Sequence, residues 1–514
     1  MKFCILAFFL LSVPFFCAAE EEKKISLQEA IEIALQNNYD IQNQRFALES
    51  AKAQYRQANV SLDIEAGAQA QYSRSQNPVD KDDPNYTISQ QGFEIATTDN
   101  TLSEQTAGSV YLKKLFGFGL ETKLSYTVKR AKNTSEYDYS SSYLAMGGTK
   151  LEEKARNTGD IALELSLPLF KSFKNSLTNL QIDAAKDYIA QMEFALSDTI
   201  SQTIVSVSSQ YWNYLLAYKN LENLEILQEK IEDRLSGMDT LIRAGVRSRN
   251  DFLALQVNVN ENRRSVQDAK VQFSKAKMEF ATTLGLSDFS VLGVPEDSFS
   301  EIDLSSLTPP KTAELNDDFF AKVEESRADL KSLKTQVEMA LKKVQMSKVD
   351  SLPDASLNFG IGTTGTAYSD NLGETVTSGF KNVRGVNVNG TVSVSAKLGN
   401  NAKKGALEQY EAEYSTAVNN YNKAKNTLAL QIQNAAEKLE IYKNQVSGAD
   451  DVLSLQKTLY ENEQKRFNAG LITVDDLLTQ DQKHLSAELS YYQILINYMQ
   501  AILEFKYYTA QMVE

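Results

Sequence analysis

Cysteine is all but absent from this chain. Only Cys4 and Cys17 occur in 514 residues, both inside an N-terminal stretch that reads as a signal peptide. Lys2 supplies the positive start, Phe3 to Phe16 the apolar core, and Cys17-Ala18-Ala19 a small-x-small cleavage site. Removal of residues 1–19 leaves an exported chain with no thiol, and therefore no disulfide, no thiol nucleophile and no Cys/His zinc site. Lipidation is the competing use of Cys17, and Phe16 is a poor residue to precede it. Histidine is as scarce. His484 is the only one, set in Asp481-Gln482-Lys483-His484-Leu485 within a helical repeat. A Ser-His-Asp set would rest wholly on it, and no GxSxG elbow accompanies it. The Gly117/Gly119 pair lacks the strand-to-helix context of a phosphate loop. These gaps argue against an enzyme, and they call for no cofactor and no metal. Basic charge is also in deficit: a net charge of −14 excludes a phosphate backbone as partner. Past residue 20 no apolar run is long enough for a transmembrane helix, so only strands could meet a membrane.

Proline is rare too, 8 against 23 glycines, which suits long uninterrupted helices with punctuation elsewhere. Two stretches carry that punctuation. In Phe467-Asn468-Ala469-Gly470-Leu471-Ile472-Thr473-Val474-Asp475-Asp476-Leu477-Leu478, Gly470 can take the left-handed conformation that ends a helix. Thr473 and Asp476 then form a capping box that opens the next one. Gly245, Ser248 and Asp251, followed by Phe252-Leu253, repeat the same offsets. Helical apolar spacing runs into each turn and out again: Leu407, Tyr410, Tyr414, Val418 and Tyr421 onward before Gly470, then Leu485, Leu489, Tyr492, Leu495 and Met499 after it. Past Gly245, Val259, Val266, Phe273 and Phe280 fall a heptad apart, with Ala269 and Ala276 beside them. The spacing predicts a helix from about Leu177 to Arg243, about 100 Å long.

Between the helical stretches the period changes to two. Ser26-Leu27-Gln28-Glu29 caps a helix running to about Asn59. Strands are then expected at 60–72, at 160–169, and in a hairpin at 109–129 around Phe116-Gly117-Phe118-Gly119. Polar stretches from Ser73 to Gln105 and from Arg130 to Thr158 read as loops. After a proline-bearing linker, 291–315, the pattern restarts: Ala30-Ile31 to Asp40-Ile41 aligns with Phe319-Phe320 to Asp329-Leu330. Strands follow at 355–363 and 385–398. The domain reading is therefore a first repeat over 20–290 and a second over 316–514.

This order and length of elements, with the two turn motifs Ala244-Gly245…Asp251-Phe252-Leu253 and Ala469-Gly470…Asp476-Leu477-Leu478, resembles the TolC-type outer-membrane factor family along the whole mature chain. The resemblance implies a mainly α fold with membrane β: a homotrimer whose strands close one β-barrel that continues into a long α-helical coiled-coil barrel in the periplasm. It implies an exit duct in the cell outer membrane for an efflux pump or type I secretion system. Its partners would be a periplasmic adaptor (membrane fusion) protein and an inner-membrane pump of RND, ABC or MFS type. It implies gate or constriction roles for Asp476 and Asp251, with Asp475 or Asp481 as weaker candidates. Thr479 stands where some members carry a second constricting aspartate. It implies adaptor docking at Ala244, Gly245, Val246 and Arg247 and at Ala469, Gly470 and Leu471. Each site residue also has a plain reading. Both aspartates sit where helix caps belong, both turns end helices regardless, and Arg247 can be a solvated loop charge. The family pattern is four strands per chain and twelve per trimer, whereas six candidates occur here, so the 109–129 hairpin either widens the barrel or packs elsewhere. A periplasmic coiled-coil scaffold or adaptor without channel activity is the alternative, against which the alternation in 385–398 argues.

Overall fold

The computed structural model describes residues 24–83, 86–90, 93–139, 149–152, 154–172, 176–243, 245, 247–297, 299, 315–383 and 385–512. Residues 1–19, expected as a signal peptide, and most of the linker expected at 291–315 lie outside them. In chain order the elements are β1 (Lys24–Ile25), α1 (Leu27–Asn37), α2 (Tyr39–Val60), β2 (Ile64–Pro78), β3 (Thr87–Gln90), β4 (Phe93–Leu115), β5 (Glu121–Tyr139), β6 (Thr149–Glu152), β7 (Arg156–Pro168), α3 (Leu177–Arg243) and α4 (Arg249–Leu284). Then follow β8 (Val294–Pro295), α5 (Asp317–Ser326), α6 (Ala328–Asp350), β9 (Asp354–Tyr368), α7 (Leu372–Thr377), β10 (Asn387–Ser395), α8 (Asn401–Asn468) and α9 (Val474–Tyr508). Two compact units form: the described residues of Met1–Leu48, Met192–Ser332 and Tyr421–Glu514, and those of Glu49–Gln191 and Leu333–Asn420. Among the described residues no helix is long and apolar enough to cross a membrane.

The first unit is helical. Ser26 and Glu29 form the expected capping box at the start of α1. That helix breaks from α2 at Asn38, which the apolar period alone does not reveal. Asn38 Oδ1 accepts from the amides of Asp40 and Ile41, and its Nδ2 donates to the Thr283 carbonyl near the end of α4. The α5/α6 break falls at Arg327, the position aligned with Asn38 in the second repeat. Arg327 grips the carboxylate of Asp329 with two nitrogens, donates to the Tyr507 carbonyl near the end of α9, and lies 4.2 Å above the Tyr507 ring. Each helix break is thus fastened to the end of a later helix, Asn38 to α4 and Arg327 to α9. The ends also correspond: α4 stops at left-handed Gly285 (φ 77°), and the chain after α9 turns left-handed at Ala510 (φ 59°). The heptad seam is buried at Val259, Val266, Ala269 and Phe280. Phe273 and Phe280 both stack on Tyr214, at 5.2 and 5.4 Å. Tyrosine hydroxyls are spent on fixing the linker start: Tyr211 donates to Ile25 and Asp297, Tyr214 to the Gly293 carbonyl. Burial pushes both phenols well above their usual range.

The second unit is built on one antiparallel sheet in the order β10-β9-β7-β5-β4-β2, with β3 and β6 pairing beside β4 and β5. The 109–129 hairpin lies inside this sheet: Ile64–Pro78 pairs with Lys114–Asn100, and Glu121–Ala131 with Ser166–Arg156. Its turn is tied down where Ser176 Oγ donates to the Gly117 carbonyl. The polar loops expected at 73–105 and 130–158 are largely strand instead. β2 runs on to Pro78, β4 starts at Phe93, β5 reaches Tyr139 and β7 starts at Arg156. A strand with polar residues at both parities has no hydrophobic alternation to read, and β4 with 23 residues is far longer than the ~9–11 a bilayer needs. At the other end, the strand expected from residue 60 starts at Ile64. α2 runs through Val60, and the chain turns with Leu62 and Asp63 donating to the carbonyls of Asn59 and Val60.

The two sheet faces differ in kind. Register places Ile64, Ala66, Ala68, Val110, Leu112, Leu124, Tyr126, Ile161, Leu163, Phe359, Ile361, Val388, Val392 and Val394 on one face. Most of its large side chains stand open, Val388 at 61% and Val394 at 67% exposure. The opposite face carries Glu65, Gln69, Tyr111, Lys113, Glu121, Lys123, Glu164, Asn387 and Asn389. These are cross-linked by Lys113–Glu121 at 3.0 Å, Lys123–Glu164 at 3.4 Å and Tyr111 donating to Glu65 at 2.9 Å. On the apolar face, the β9–β10 connection folds back over β5 and β7. Tyr126 donates to the Val376 carbonyl and Arg130 to that of Asp370. Gly159 and Gly365 allow that approach, since a Cβ there would sit 2.2 Å from the Gly379 nitrogen and 2.0 Å from the Ser378 oxygen.

Candidate functional site

The two glycine turns meet in the helical unit. At the second, Gly470 has φ 75°; its amide donates to the Phe467 carbonyl, and that of Leu471 to the Arg466 carbonyl. That pair of bonds is a Schellman closure. At the first, Gly245 has φ 72° and its amide donates to the Ile242 carbonyl. Ala244 and Val246, expected as docking residues, lie outside the described residues. Leu471, at 70% exposure, presents an apolar side chain to solvent at the tip.

Asp251 and Asp476 are held in the same way. The Ser248 amide donates to Asp251 Oδ2 at 2.8 Å while Ser248 Oγ accepts from the Asp251 amide at 3.2 Å. Thr473 and Asp476 repeat this at 3.0 and 3.2 Å, and the hydroxyl adds a bond to the carboxylate at 2.7 Å. Each carboxylate is therefore a helix-capping group with one face still open to water. Bonds from the Thr473 side chain and backbone hold Asp476 below the usual carboxylate range. Asp475 is exposed in the same first turn.

Arg247 is not a solvated loop charge. Its Nη1 donates to the Ile472 carbonyl and its Nη2 to the Phe467 carbonyl, both at 2.9 Å, with the guanidinium 4.3 Å above the Phe467 ring. Those carbonyls flank Gly470, at the negative end of α8, where a cation is favoured. The first turn is thereby pinned to the second. Beneath the clamp, Ile231, Met238, Leu255, Val259, Phe467, Val474, Leu477 and Leu478 form one apolar cluster. The Leu-Leu pair after Asp476 is thus core.

Sequence reasoning gave Asp481 only a weak place in the site, and Arg234 none. Arg234 of α3 binds both carboxylate oxygens of Asp481 on α9, with side-chain exposures of 14% and 2%. The signal was faint because both residues sit in helices whose other charges face water. His484, one turn on, stacks on Tyr460 at 5.0 Å. Its buried Nδ1 finds no hydrogen-bond partner among the described residues.

Residues 321–505 match the sequence pattern of the outer membrane efflux protein family. No curated protein matches the chain. Solved structures do. The Campylobacter jejuni CmeC outer membrane channel is 16% identical, with a TM-score of 0.64 over 94% of this chain and 85% of that one. The Vibrio cholerae outer membrane protein VceC is 14% identical, at 0.61 over 94% and 95%. The open state of the Neisseria gonorrhoeae MtrE outer membrane channel is 15% identical, at 0.60 over 94% and 88%. Residues 321–505 thus carry the outer membrane efflux protein pattern, in a chain whose fold over nearly its whole length is similar to that of these solved outer-membrane proteins.

Proposed function

We propose that this protein is the outer-membrane exit duct of a tripartite efflux pump or type I secretion system. It conducts substrates passively from an inner-membrane transporter across periplasm and outer membrane. The observation that carries this reading is the sheet: six strands with an apolar face that stands open outside the part covered by the β9–β10 connection, and an ionised opposite face. Open sheet edges cannot sit in lipid, so the chain needs copies of itself to close a barrel with the apolar face outward and the charged face around water. The family match over the second repeat supports a homotrimer working with a periplasmic adaptor and an inner-membrane pump of RND, ABC or MFS type. The paired turns are the adaptor-docking tips, through Gly245, Arg247, Ala469, Gly470 and Leu471 with their neighbours Ala244 and Val246. Asp476, with Asp251 and Asp475, is the gate. A threefold ring of carboxylates in a narrow throat favours cations and resists tightening.

The test is electrical. The protein is expected as a heat-modifiable trimer in outer-membrane fractions, and Asp476→Asn raises single-channel conductance while weakening block by multivalent cations. Unchanged conductance and unchanged block reject the gate. A monomer among soluble periplasmic contents rejects the duct.

A further inference from the structure

The sheet ends in two bare edges. β2 and β10 lie at opposite ends of the six-strand path, and every neighbouring pair along it is antiparallel. The two edge strands therefore run in opposite directions. Every residue of β10 is exposed, and all of β2 except Gly67. Such edges fit each other: β10 of one copy can extend the sheet through β2 of the next, antiparallel, in a head-to-tail contact that closes as a ring.

We infer that three copies join by this contact into a barrel of eighteen strands, with the 109–129 hairpin as a full wall element. This rests on the trimeric duct proposed above. The register supports it. The hydrogen-bonded row that starts at Ile64 passes through Lys114, Thr122, Leu165 and Phe359 to Gly390. That row meets β2 at its first residue, whereas Thr391–Ser395 still lie beyond it on β10. The strand ends thus drift by about one residue per strand, which corresponds to a tilt of about 35°, within the range of closed barrels. Continuing the drift by one strand sets Gly390 opposite Ala70 of the next copy. Val392 then faces Ala68 and Val388 faces Tyr72 on the apolar side, while Thr391 faces Gln69 and Asn389 faces Gln71 on the wet side. No side chain crosses to the wrong face.

The added hairpin widens the wall without adding a helix, because its strands are joined by the tight turn at Phe116–Gly119. At a strand spacing of ~4.8 Å and this tilt, eighteen strands give a backbone diameter of about 34 Å, against about 23 Å for twelve. The cross-section roughly doubles.

No cysteine follows Cys17, so paired cysteines placed in the sheet report the contact directly. In the full-length protein in outer membranes, Thr391→Cys with Gln69→Cys is expected to oxidise into covalently linked trimers. Thr391→Cys with Ala68→Cys, which faces the other side, stays unlinked. Linkage through Gln71→Cys instead keeps the eighteen-strand wall with a steeper tilt. Linkage within one chain between Gln69→Cys and Ala162→Cys would mean that β2 meets β7 directly, and would overturn the inference in favour of twelve strands. The wild-type protein gives a second readout that no variant can spoil. An end-on electron-microscopic reconstruction should show a barrel ~1.5-fold wider than twelve strands allow. A trimer of twelve-strand width refutes the eighteen-strand wall alone; absence of any trimer refutes the duct.

Discussion

Removing one partner of the Arg234–Asp481 pair should cost more than removing both. Asp481 is 2% exposed and takes both of its charge-assisted bonds from Arg234, which is itself 14% exposed. Arg234→Ala therefore strands a buried carboxylate, a loss of about 3–5 kcal/mol. Asp481→Ala strands a guanidinium on a long stem that can bend toward water, so its loss is smaller, about 2 kcal/mol. The double change to Arg234→Met and Asp481→Leu leaves no orphaned charge and should fall within about 1–2 kcal/mol of the native protein. Trp212 on α3, the only tryptophan in the chain and 8% exposed, reports unfolding of this helical unit by fluorescence. A urea series on native protein, both alanine singles and the alanine double should give a coupling of at least ~2 kcal/mol. Single losses that add to within ~0.5 kcal/mol would refute the reasoning, because they would mean water already screens the pair.

Other expectations test the turns. Gly470→Ala, at φ 75°, should destabilise the second hairpin by about 1–2 kcal/mol, and Gly470→Asn by less, measured in the same urea series. Thr473→Ala should cost about 1 kcal/mol and speed amide exchange in the first turn of α9. The Asp476 carboxylate sits below its usual range when folded, so its support is complete above the ordinary carboxylate range and is lost as pH falls through the depressed value. Protection at the start of α9, relative to the intrinsic exchange rate at each pH, should therefore fall in acid, and Asp476→Asn should abolish that acid step.

How much of this could be read from residues alone depended on whether a pattern had one wet side. The glycine turns and the long helices were legible because Gly470, Thr473 and Asp476 act within a few residues of one another. The apolar-faced part of the strands was legible because Val388, Val392 and Val394 alternate with polar neighbours. The extensions of β4 and β5 were not, since polar residues at both parities erase the period. The clamp of Arg247 on Phe467 and Ile472, and the Arg234–Asp481 pair, join residues more than 200 positions apart. No local spacing encodes such a meeting. The break at Asn38 stayed hidden for a related reason: its amide satisfies the interruption so well that the apolar stripe runs on across it.

The fastening of each helix break to the end of a later helix has a mechanical consequence. Asn38 and Arg327 anchor the ends of α4 and α9 that lie farthest from the glycine tips, 36 and 35 residues away. A rod about 50 Å long, hinged there, turns a 5° swing at the base into about 4–5 Å of travel at the far end. Leverage of that size would let a partner gripping the tips move them widely while the anchored ends barely shift.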